Sequence, residues 1–146
     1  MTIKIAINGL GRIGRCSFRA ILENPDKFEL VAINAPAKTD FLIHLLKYDS
    51  VHGRINHNIS NINENIAVDG KEIKTSHERD LNKVNWSDVD IVLECTGKFK
   101  DSASCNLHLQ NGAKKVIISA PTNDESIKTI IYGVNENIIT KNDDIL

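Results

Sequence analysis

The hydrophobic pattern at the start of the chain predicts a strand, a helix and a second strand in succession. Residues 3–7 alternate and are rich in β-branched side chains, so they are predicted as a strand that ends at Asn8-Gly9. Apolar residues then recur at helical spacing from Ile13 to Ile21, and Asn24-Pro25 ends the helix. Residues 28–33 are a second, mostly apolar strand. Together they make a βαβ unit of about thirty residues, the minimal half of a parallel sheet.

Alternation of strands and helices continues along the rest of the chain. Between residues 51 and 75 the pattern changes to short alternating segments around Asp69-Gly70, a two-residue hairpin signal, which predicts a small antiparallel insertion. A helix is predicted at residues 38–47, a strand at 90–94, and a helix at 102–110 that ends at Asn111-Gly112. Two further strands are predicted at residues 116–118 and 129–132.

This order of elements predicts an α/β fold of the Rossmann type. The expected architecture is a doubly wound, mostly parallel sheet with right-handed crossovers and a small antiparallel hairpin insertion. A length of 146 residues fits one domain, so residues 1–146 are assigned to a single domain.

Composition narrows the classes of function. The chain is 41% hydrophobic and 25% charged with a formal net charge of -1, and its basic residues form no run, so a nucleic-acid partner is not expected. No apolar stretch has membrane-spanning length, and the first residues lack a signal peptide's organisation, so we expect a cytoplasmic protein without a membrane partner. Three cysteines without a C-x-x-C pair argue against a disulfide framework.

The first βα turn carries the most specific chemical signal. Gly9-Leu10-Gly11-Arg12-Ile13-Gly14 is a G-x-G-x-x-G motif that lies between a predicted strand and a predicted helix. Gly9 permits the tight turn, Gly11 lets a pyrophosphate approach the backbone, and Gly14 allows close packing of helix and strand. The amides of Arg12 and Ile13 lie at the positive end of the helix dipole, which stabilises an anion. The alternative is a glycine-rich turn that binds nothing.

The end of the second strand bears on the choice between NAD and NADP. An acidic residue about 20 positions after the glycines usually binds the adenosine ribose hydroxyls, but this chain has Asn34-Ala35 there. Loss of the carboxylate removes a ribose hydrogen bond and also a charge that repels a 2′-phosphate. Lys38 supplies a cation nearby in sequence. The cofactor is therefore expected to be NAD or NADP.

Several segments in a fixed order resemble one enzyme family, the phosphorylating glyceraldehyde-3-phosphate dehydrogenases. The opening residues 5–15 carry the closest match, and the others cover nearly the whole remaining chain. They are Leu45-Leu46-Lys47-Tyr48-Asp49-Ser50-Val51-His52-Gly53, Glu78-Arg79-Asp80, Thr96-Gly97-Lys98-Phe99, Gly112-Ala113-Lys114-Lys115-Val116-Ile117-Ile118-Ser119-Ala120-Pro121 and Tyr132-Gly133-Val134-Asn135.

The resemblance implies a homotetrameric oxidoreductase of glycolysis and gluconeogenesis. Such an enzyme uses NAD(P) and inorganic phosphate to convert glyceraldehyde 3-phosphate into 1,3-bisphosphoglycerate. Erythrose-4-phosphate dehydrogenase, a relative with the same cofactor chemistry, is the near alternative. By matching position, Arg79 lies by the adenine, while Thr96, Gly97 and Ser119 follow the nicotinamide side. The complete set of implied cofactor residues is Asn8, Gly9, Gly11, Arg12, Ile13, Gly14, Asn34, Ala35, Arg79, Thr96, Gly97 and Ser119.

No catalytic residue is assigned within this chain. The family's nucleophile lies in a Ser-Cys-Thr-Thr-Asn motif that does not occur here, so we expect the catalytic domain to lie outside these 146 residues. Cys16, Cys95 and Cys105 are interpreted as structural or incidental. The five histidines show no metal-ligand spacing, so no metal is expected. The chain alone is expected to bind NAD(P) weakly and to be inactive. A non-enzymatic nucleotide-binding module is the alternative if the natural protein ends here.

Overall fold

The chain folds into a central sheet with helices on both faces. The computed structural model describes residues 2–146. Its three α-helices are α1 (Arg12–Leu22), α2 (Thr39–Lys47) and α3 (Ser102–Gln110). Its strands are β1 (Ile3–Asn8), β2 (Phe28–Asn34), β3 (Tyr48–Asp49), β4 (Gly53–Arg54), β5 (Ile59–Ile62), β6 (Asn65–Val68), β7 (Lys71–Ser76), β8 (Ile91–Glu94) and β9 (Lys115–Ile118). None of the helices in residues 2–146 combines the length and the apolar character that a membrane crossing needs.

Seven of the strands form one mostly parallel sheet in the order β5-β6-β7-β2-β1-β8-β9. Strands β7, β2, β1, β8 and β9 run parallel, whereas β5, β6 and β7 pair antiparallel at one edge. The short strands β3 and β4 make a separate antiparallel pair after α2. This arrangement confirms the predicted doubly wound sheet with a small antiparallel insertion.

Two hydrophobic clusters lie on opposite faces of the sheet. Successive residues of β1 contribute to different clusters, with Ile5 and Ile7 in one and Ala6 in the other, because side chains alternate across a strand. The first cluster contains Phe18 of α1 and Leu46 of α2. The second is built around the fully buried Trp86. Burial on both faces is what an apolar parallel sheet requires.

The hairpin predicted at Asp69-Gly70 is present between β6 and β7. Both residues have positive φ, 51° and 86°, which is the geometry of a two-residue turn between antiparallel strands. A second turn of the same kind at Asn63-Glu64 joins β5 to β6, with φ of 51° and 65°. The sequence analysis missed this turn because Glu64 is not a usual residue at positive φ.

The prediction of a strand at residues 129–132 is wrong. Instead of extending into the sheet, this segment is held by Asn135, whose side chain accepts from the Ile131 N–H at 2.7 Å and donates to the Thr129 carbonyl at 3.0 Å. Local side-chain bonds of this kind compete with strand pairing. The edge of β9 pairs instead with the last three residues of the chain, through Val116 N–H to the Asp144 carbonyl (2.8 Å) and Ile118 N–H to the Leu146 carbonyl (2.7 Å).

Candidate functional site

The glycine turn between β1 and α1 is held by very close packing at two of its glycines. Gly9 has φ +95°, and a Cβ placed on it would lie 2.9 Å from the Thr96 amide nitrogen. A Cβ on Gly14 would lie 2.0 Å from the Gly9 carbonyl oxygen, well inside any allowed contact. The Arg15 guanidinium also braces the turn, because its Nη1 donates to the Leu10 carbonyl at 3.0 Å.

Gly11 differs from its two neighbours because its missing side chain faces open space. A Cβ built there would meet no atom within 4 Å, and its φ of -69° is ordinary for any residue. Gly11 is also the N-cap of α1, and no side chain caps this helix end in the described part of the chain. The first-turn amides of α1 therefore adjoin an empty space of the kind that an anion fills.

That space continues into a cavity of about 350 Å³ at the carboxyl ends of β1, β2 and β8. In a doubly wound sheet this edge is where ligands bind. Seven of the residues predicted from sequence line the cavity: Asn8, Gly9, Gly11, Asn34, Ala35, Arg79 and Thr96. The structure thus brings together residues from four separate segments of the chain.

The other five predicted residues lie beside the cavity or outside it. Arg12, Ile13 and Gly14 form the first turn of α1, directly after the cavity-lining Gly11. Gly97 follows Thr96 and has φ +71°. Ser119, just after β9, lines a separate cavity of about 440 Å³.

The side chain of Arg12 is engaged by the protein itself. Its guanidinium pairs with the carboxylate of Asp49, whose side chain is only 3% exposed. The same carboxylate accepts from the amides of Val51 and His52, at 2.9 and 2.8 Å. The bond from Arg12, followed by the His52 amide, holds the pKa of Asp49 well below its usual range. Arg12 is therefore available to a ligand through its backbone amide.

Asn34 is likewise occupied. Its amide nitrogen donates to Asn8 Oδ1 (2.8 Å) and to the Glu78 carbonyl (2.9 Å), and its Oδ1 accepts from Ser76 Oγ and the Glu78 N–H, each at 2.9 Å. Two donors and two acceptor positions are all that a side-chain amide has. The polar atoms of Asn34 are thus used to hold the 76–78 segment, and this side chain shapes the cavity wall without a free position for a ribose hydroxyl.

The charged side chains that line the cavity are mostly basic. Ala35 is buried, and the residue that would ordinarily carry a carboxylate here presents only a methyl group. Among the lining residues Glu78 is the one acid, against the two cations Arg79 and Lys98. Lys38 is exposed at the N-cap of α2, one residue beyond the lining residue Ala37. The cavity therefore has a net positive lining, which suits a polyanionic ligand.

Sequence reasoning missed the apolar wall of the cavity. The apolar stripe formed by Phe41, Leu42, Leu45 and Leu46 serves there only to predict the helix over residues 38–47, and Leu42 and Leu46 of this stripe are buried. Phe41, by contrast, is 56% exposed and lines the cavity together with Leu45 and Phe99. An exposed aromatic ring beside a polar turn offers a flat ligand a stacking surface. The only signal in the sequence is that the stripe is wider than one helix face needs.

A second feature missed from sequence is Glu94, the last residue of β8. Its carboxylate is buried and contacts Asn8, Thr96 and His108. A carboxylate at the end of an otherwise apolar buried strand is the signal that was available.

Two of the three cysteine thiols have raised pKa values. All three cysteines are free thiols. Burial raises the pKa of Cys95, which lines the cavity, and raises the pKa of the buried Cys105 to about 11, so both favour the protonated thiol over the nucleophilic thiolate. No group of three or more histidine, cysteine or acidic side chains in residues 2–146 is placed to hold a metal ion.

Comparison with known proteins decides the family. The family model described as glyceraldehyde 3-phosphate dehydrogenase, NAD binding domain, matches residues 3–102, which include the glycine turn, Asn34, Ala35, Arg79 and Thr96. The chain belongs to this family. The sequence resemblance is thereby confirmed, and so is the Rossmann-type fold that it implied.

Individual relatives agree with the family match. The chain is 51% identical over 139 residues to the glyceraldehyde-3-phosphate dehydrogenase of Geobacillus stearothermophilus, covering 94% of this chain and 41% of that protein. It is 44% identical over 147 residues to the enzyme of the same name from Mycoplasma pneumoniae, covering 99% of this chain and 43% of that protein. The chain therefore spans about two fifths of the length of the curated relatives it matches.

Proposed function

We propose that this chain is the cofactor-binding domain of a phosphorylating glyceraldehyde-3-phosphate dehydrogenase and that it holds a nicotinamide dinucleotide across the carboxyl edge of its sheet. The observation that carries the proposal is the open space at Gly11, directly before the uncapped first turn of α1. A diphosphate fits this position because it needs close backbone approach and several N–H donors at one point.

The proposed roles combine position around the cavity with the family resemblance of the sequence. The amides of Arg12 and Ile13 bind the pyrophosphate, and Phe41 and Arg79 flank the adenine. Thr96, Gly97 and Ser119 follow the nicotinamide side, where the Glu94 network holds Thr96 in place. When bound, the nicotinamide supplies the two-electron oxidant for the aldehyde. The contribution of this chain is to bind that group and to orient it.

We propose that the domain accepts both NAD and NADP. Two observations support this: Ala35 offers no carboxylate to repel a 2′-phosphate, and Lys38 stands exposed three residues further on. In a site of this kind a cation and the absence of an anion both favour the phosphorylated cofactor.

For the longer protein we propose that glyceraldehyde 3-phosphate and inorganic phosphate are substrates and that a homotetramer is formed. The family match and the names of the relatives support glyceraldehyde 3-phosphate as the substrate and do not favour erythrose 4-phosphate, whereas inorganic phosphate and the homotetramer rest on the resemblance of the sequence to the family. We place the nucleophilic cysteine outside these residues, because the cavity-lining thiol of this chain, Cys95, has its pKa raised by burial. The 146-residue chain is accordingly expected to show no aldehyde oxidation.

Calorimetric titration of the 146-residue chain with NAD and NADP tests the proposal. We expect saturable binding of both cofactors by the wild type, and its loss in Gly11→Ala, since the new methyl group occupies the space given to the pyrophosphate. Thermal melting of the same variant is the control, and it should be unchanged because the methyl group meets no protein atom. Absence of dinucleotide binding by the folded wild type, or unchanged binding by Gly11→Ala, contradicts the proposed function.

A further inference from the structure

Four neighbouring parallel strands end on polar residues that lie side by side. β7 ends at Ser76, β2 at Asn34, β1 at Asn8 and β8 at Glu94. The sheet register pairs Asn34 with Ser76, Asn8 with Asn34, and Asn8 with Glu94. These residues form a continuous polar row along the carboxyl edge of the sheet, beneath the cavity that we propose for the dinucleotide.

The hydrogen bonds of this polar row all run in one direction. Ser76 Oγ donates to Asn34 Oδ1 at 2.9 Å, and Asn34 Nδ2 donates to Asn8 Oδ1 at 2.8 Å. Asn8 Nδ2 in turn donates to Glu94 Oε2 at 2.6 Å. Each amide therefore has one orientation that suits both of its neighbours, and the row ends on a carboxylate that only accepts.

A second chain of donors reaches the same carboxylate from Trp86, which lies on the same face of the sheet as the polar row. Trp86 Nε1 donates to His108 Nδ1 at 2.8 Å. An indole N–H cannot accept, so His108 Nδ1 must be the acceptor and the ring proton must lie on Nε2. His108 Nε2 then donates to Glu94 Oε2 at 2.9 Å. The neutral Nε2–H tautomer of His108 is thus determined by its two partners.

The other carboxylate oxygen of Glu94 holds Thr96, which also lines the cavity. Glu94 Oε1 accepts from the Thr96 amide at 2.8 Å and also from the Thr96 hydroxyl. Glu94 therefore receives four donors, two at each oxygen, with its side chain fully buried. A buried group with four donors around it must itself offer acceptors only, which a carboxylate does and a side-chain amide does not.

We propose that Glu94 is a positioning residue that sets the orientation of the Asn8 and Asn34 side-chain amides. Through Asn34 it also fixes the segment that precedes Arg79, which forms the cavity wall at the proposed adenosine end. The inference rests on the proposed function in that this cavity is taken as the dinucleotide site. Glu94 contacts Thr96 at the nicotinamide end, yet its orienting effect extends to Glu78, because Asn34 holds both the N–H and the carbonyl of Glu78.

Replacing the carboxylate by an amide shows why the effect must spread. In Glu94→Gln one terminal atom becomes an N–H donor that faces other donors. Where the new amide nitrogen takes the position of Oε2, Asn8 relieves this conflict by turning its own Oδ1 toward that nitrogen, which directs Asn8 Nδ2 at Asn34 Nδ2. If Asn34 then turns as well, its Nδ2 faces the Glu78 N–H and the bond that holds this segment is lost. A single change at the end of β8 is thus transmitted to the end of β7.

The test uses ADP-ribose, which lacks the nicotinamide ring, on the 146-residue chain. We expect Glu94→Gln to bind ADP-ribose about tenfold more weakly than wild type, the effect of one lost hydrogen bond at the adenosine end. The side-chain NH₂ resonances of Asn34 should also shift in the unliganded variant, which a uniform loss of stability would not produce. Glu23→Gln, at an exposed position after α1, is the matched control and should leave both measurements unchanged.

A second variant keeps the inference testable if Glu94→Gln does not fold. Ser76→Ala removes the first donor of the polar row at a half-buried strand end, and Ser60→Ala in β5 is its control. We expect the Asn8 side-chain resonances to shift in Ser76→Ala and not in Ser60→Ala. Unmoved Asn34 resonances in folded Glu94→Gln, or unmoved Asn8 resonances in Ser76→Ala, overturn the inference. Lack of ADP-ribose binding by the wild type refutes the proposed function instead, while the unliganded resonances still decide the role of Glu94.

Discussion

Arg12 and Asp49 form an ion pair that joins the first residue of α1 to the last residue of β3, just before a turn. The pair ties the glycine turn to a segment far away in sequence, and the Asp49 carboxylate also accepts two backbone amides of that turn. A guanidinium held in this way cannot swing into the cavity, so the anion-binding end of α1 presents backbone N–H groups to a ligand.

The pKa of Asp49 predicts how the protein responds to acid. Its bond to Arg12 lowers that pKa below the ordinary value of 3.8, so the pair contributes stability that is present above pH 3.8 and is lost as the pH falls below it. We expect Asp49→Asn to lower the midpoint of urea unfolding at pH 7, and the difference from wild type to shrink as the pH falls below 3.8. Asp26→Asn, at an exposed turn position, is the control. A difference that grows in acid would contradict this account.

Alanine substitutions at two glycines of the same motif are expected to affect different properties, one the stability of the fold and the other dinucleotide binding. Gly14→Ala should lose about 3 kcal/mol of unfolding free energy, because its Cβ would lie 2.0 Å from the Gly9 carbonyl and the turn must move. Gly11→Ala should stay within about 0.5 kcal/mol of wild type and lose dinucleotide binding. Urea unfolding and calorimetric titration of both variants measure the contrast. Equal loss of stability in the two would show that Gly11 is not beside open space.

Cofactor choice is expected to depend on position 35. Ala35→Asp introduces a carboxylate at the end of β2, which repels a 2′-phosphate and accepts bonds from ribose hydroxyls. We expect NADP to bind about tenfold more weakly than to wild type, with NAD binding unchanged or tighter. Ala103→Asp adds the same charge at an exposed position of α3 and should change neither affinity. Wild-type binding of NADP at least about tenfold weaker than NAD would remove the argument from Ala35 and Lys38.

The three thiols are expected to react with iodoacetamide at very different rates. Cys105 is buried and its pKa is raised to about 11, so it should stay unmodified at about pH 8 in the folded protein. The half-buried Cys16 should react first, and Cys95 more slowly because burial raises its pKa. Since Cys95 lines the cavity, saturating NAD should slow its labelling further. Peptide mass spectrometry over time measures each rate, and Cys105 reacting as fast as Cys16 would contradict the assignment.

The sequence by itself determined the features that depend on a few neighbouring residues. The turn at Asp69-Gly70 needs two residues that tolerate positive φ. The glycine motif needs residues without a side chain, because Gly9 and Gly14 have no room for a Cβ. The α3 helix ends where Asn111-Gly112 follows it. These are local dihedral and steric requirements, and they can be recognised from residue type and spacing alone. The family resemblance depended on the same local motifs.

Only the tertiary structure decided which distant groups meet. Residues 144–146 pair with β9, while residues 129–132, for which the sequence pattern predicts a strand, do not form one, because edge pairing depends on competing partners far apart in the chain. The apolar stripe of α2 divides between core and cavity wall according to what packs against it, which placed Phe41 in the cavity. The four donors of Glu94 come from three other elements or loops, so no spacing rule could assemble them. Hydrogen-bond partners of buried polar groups are a property of the assembled fold, and local patterns contain no information about them.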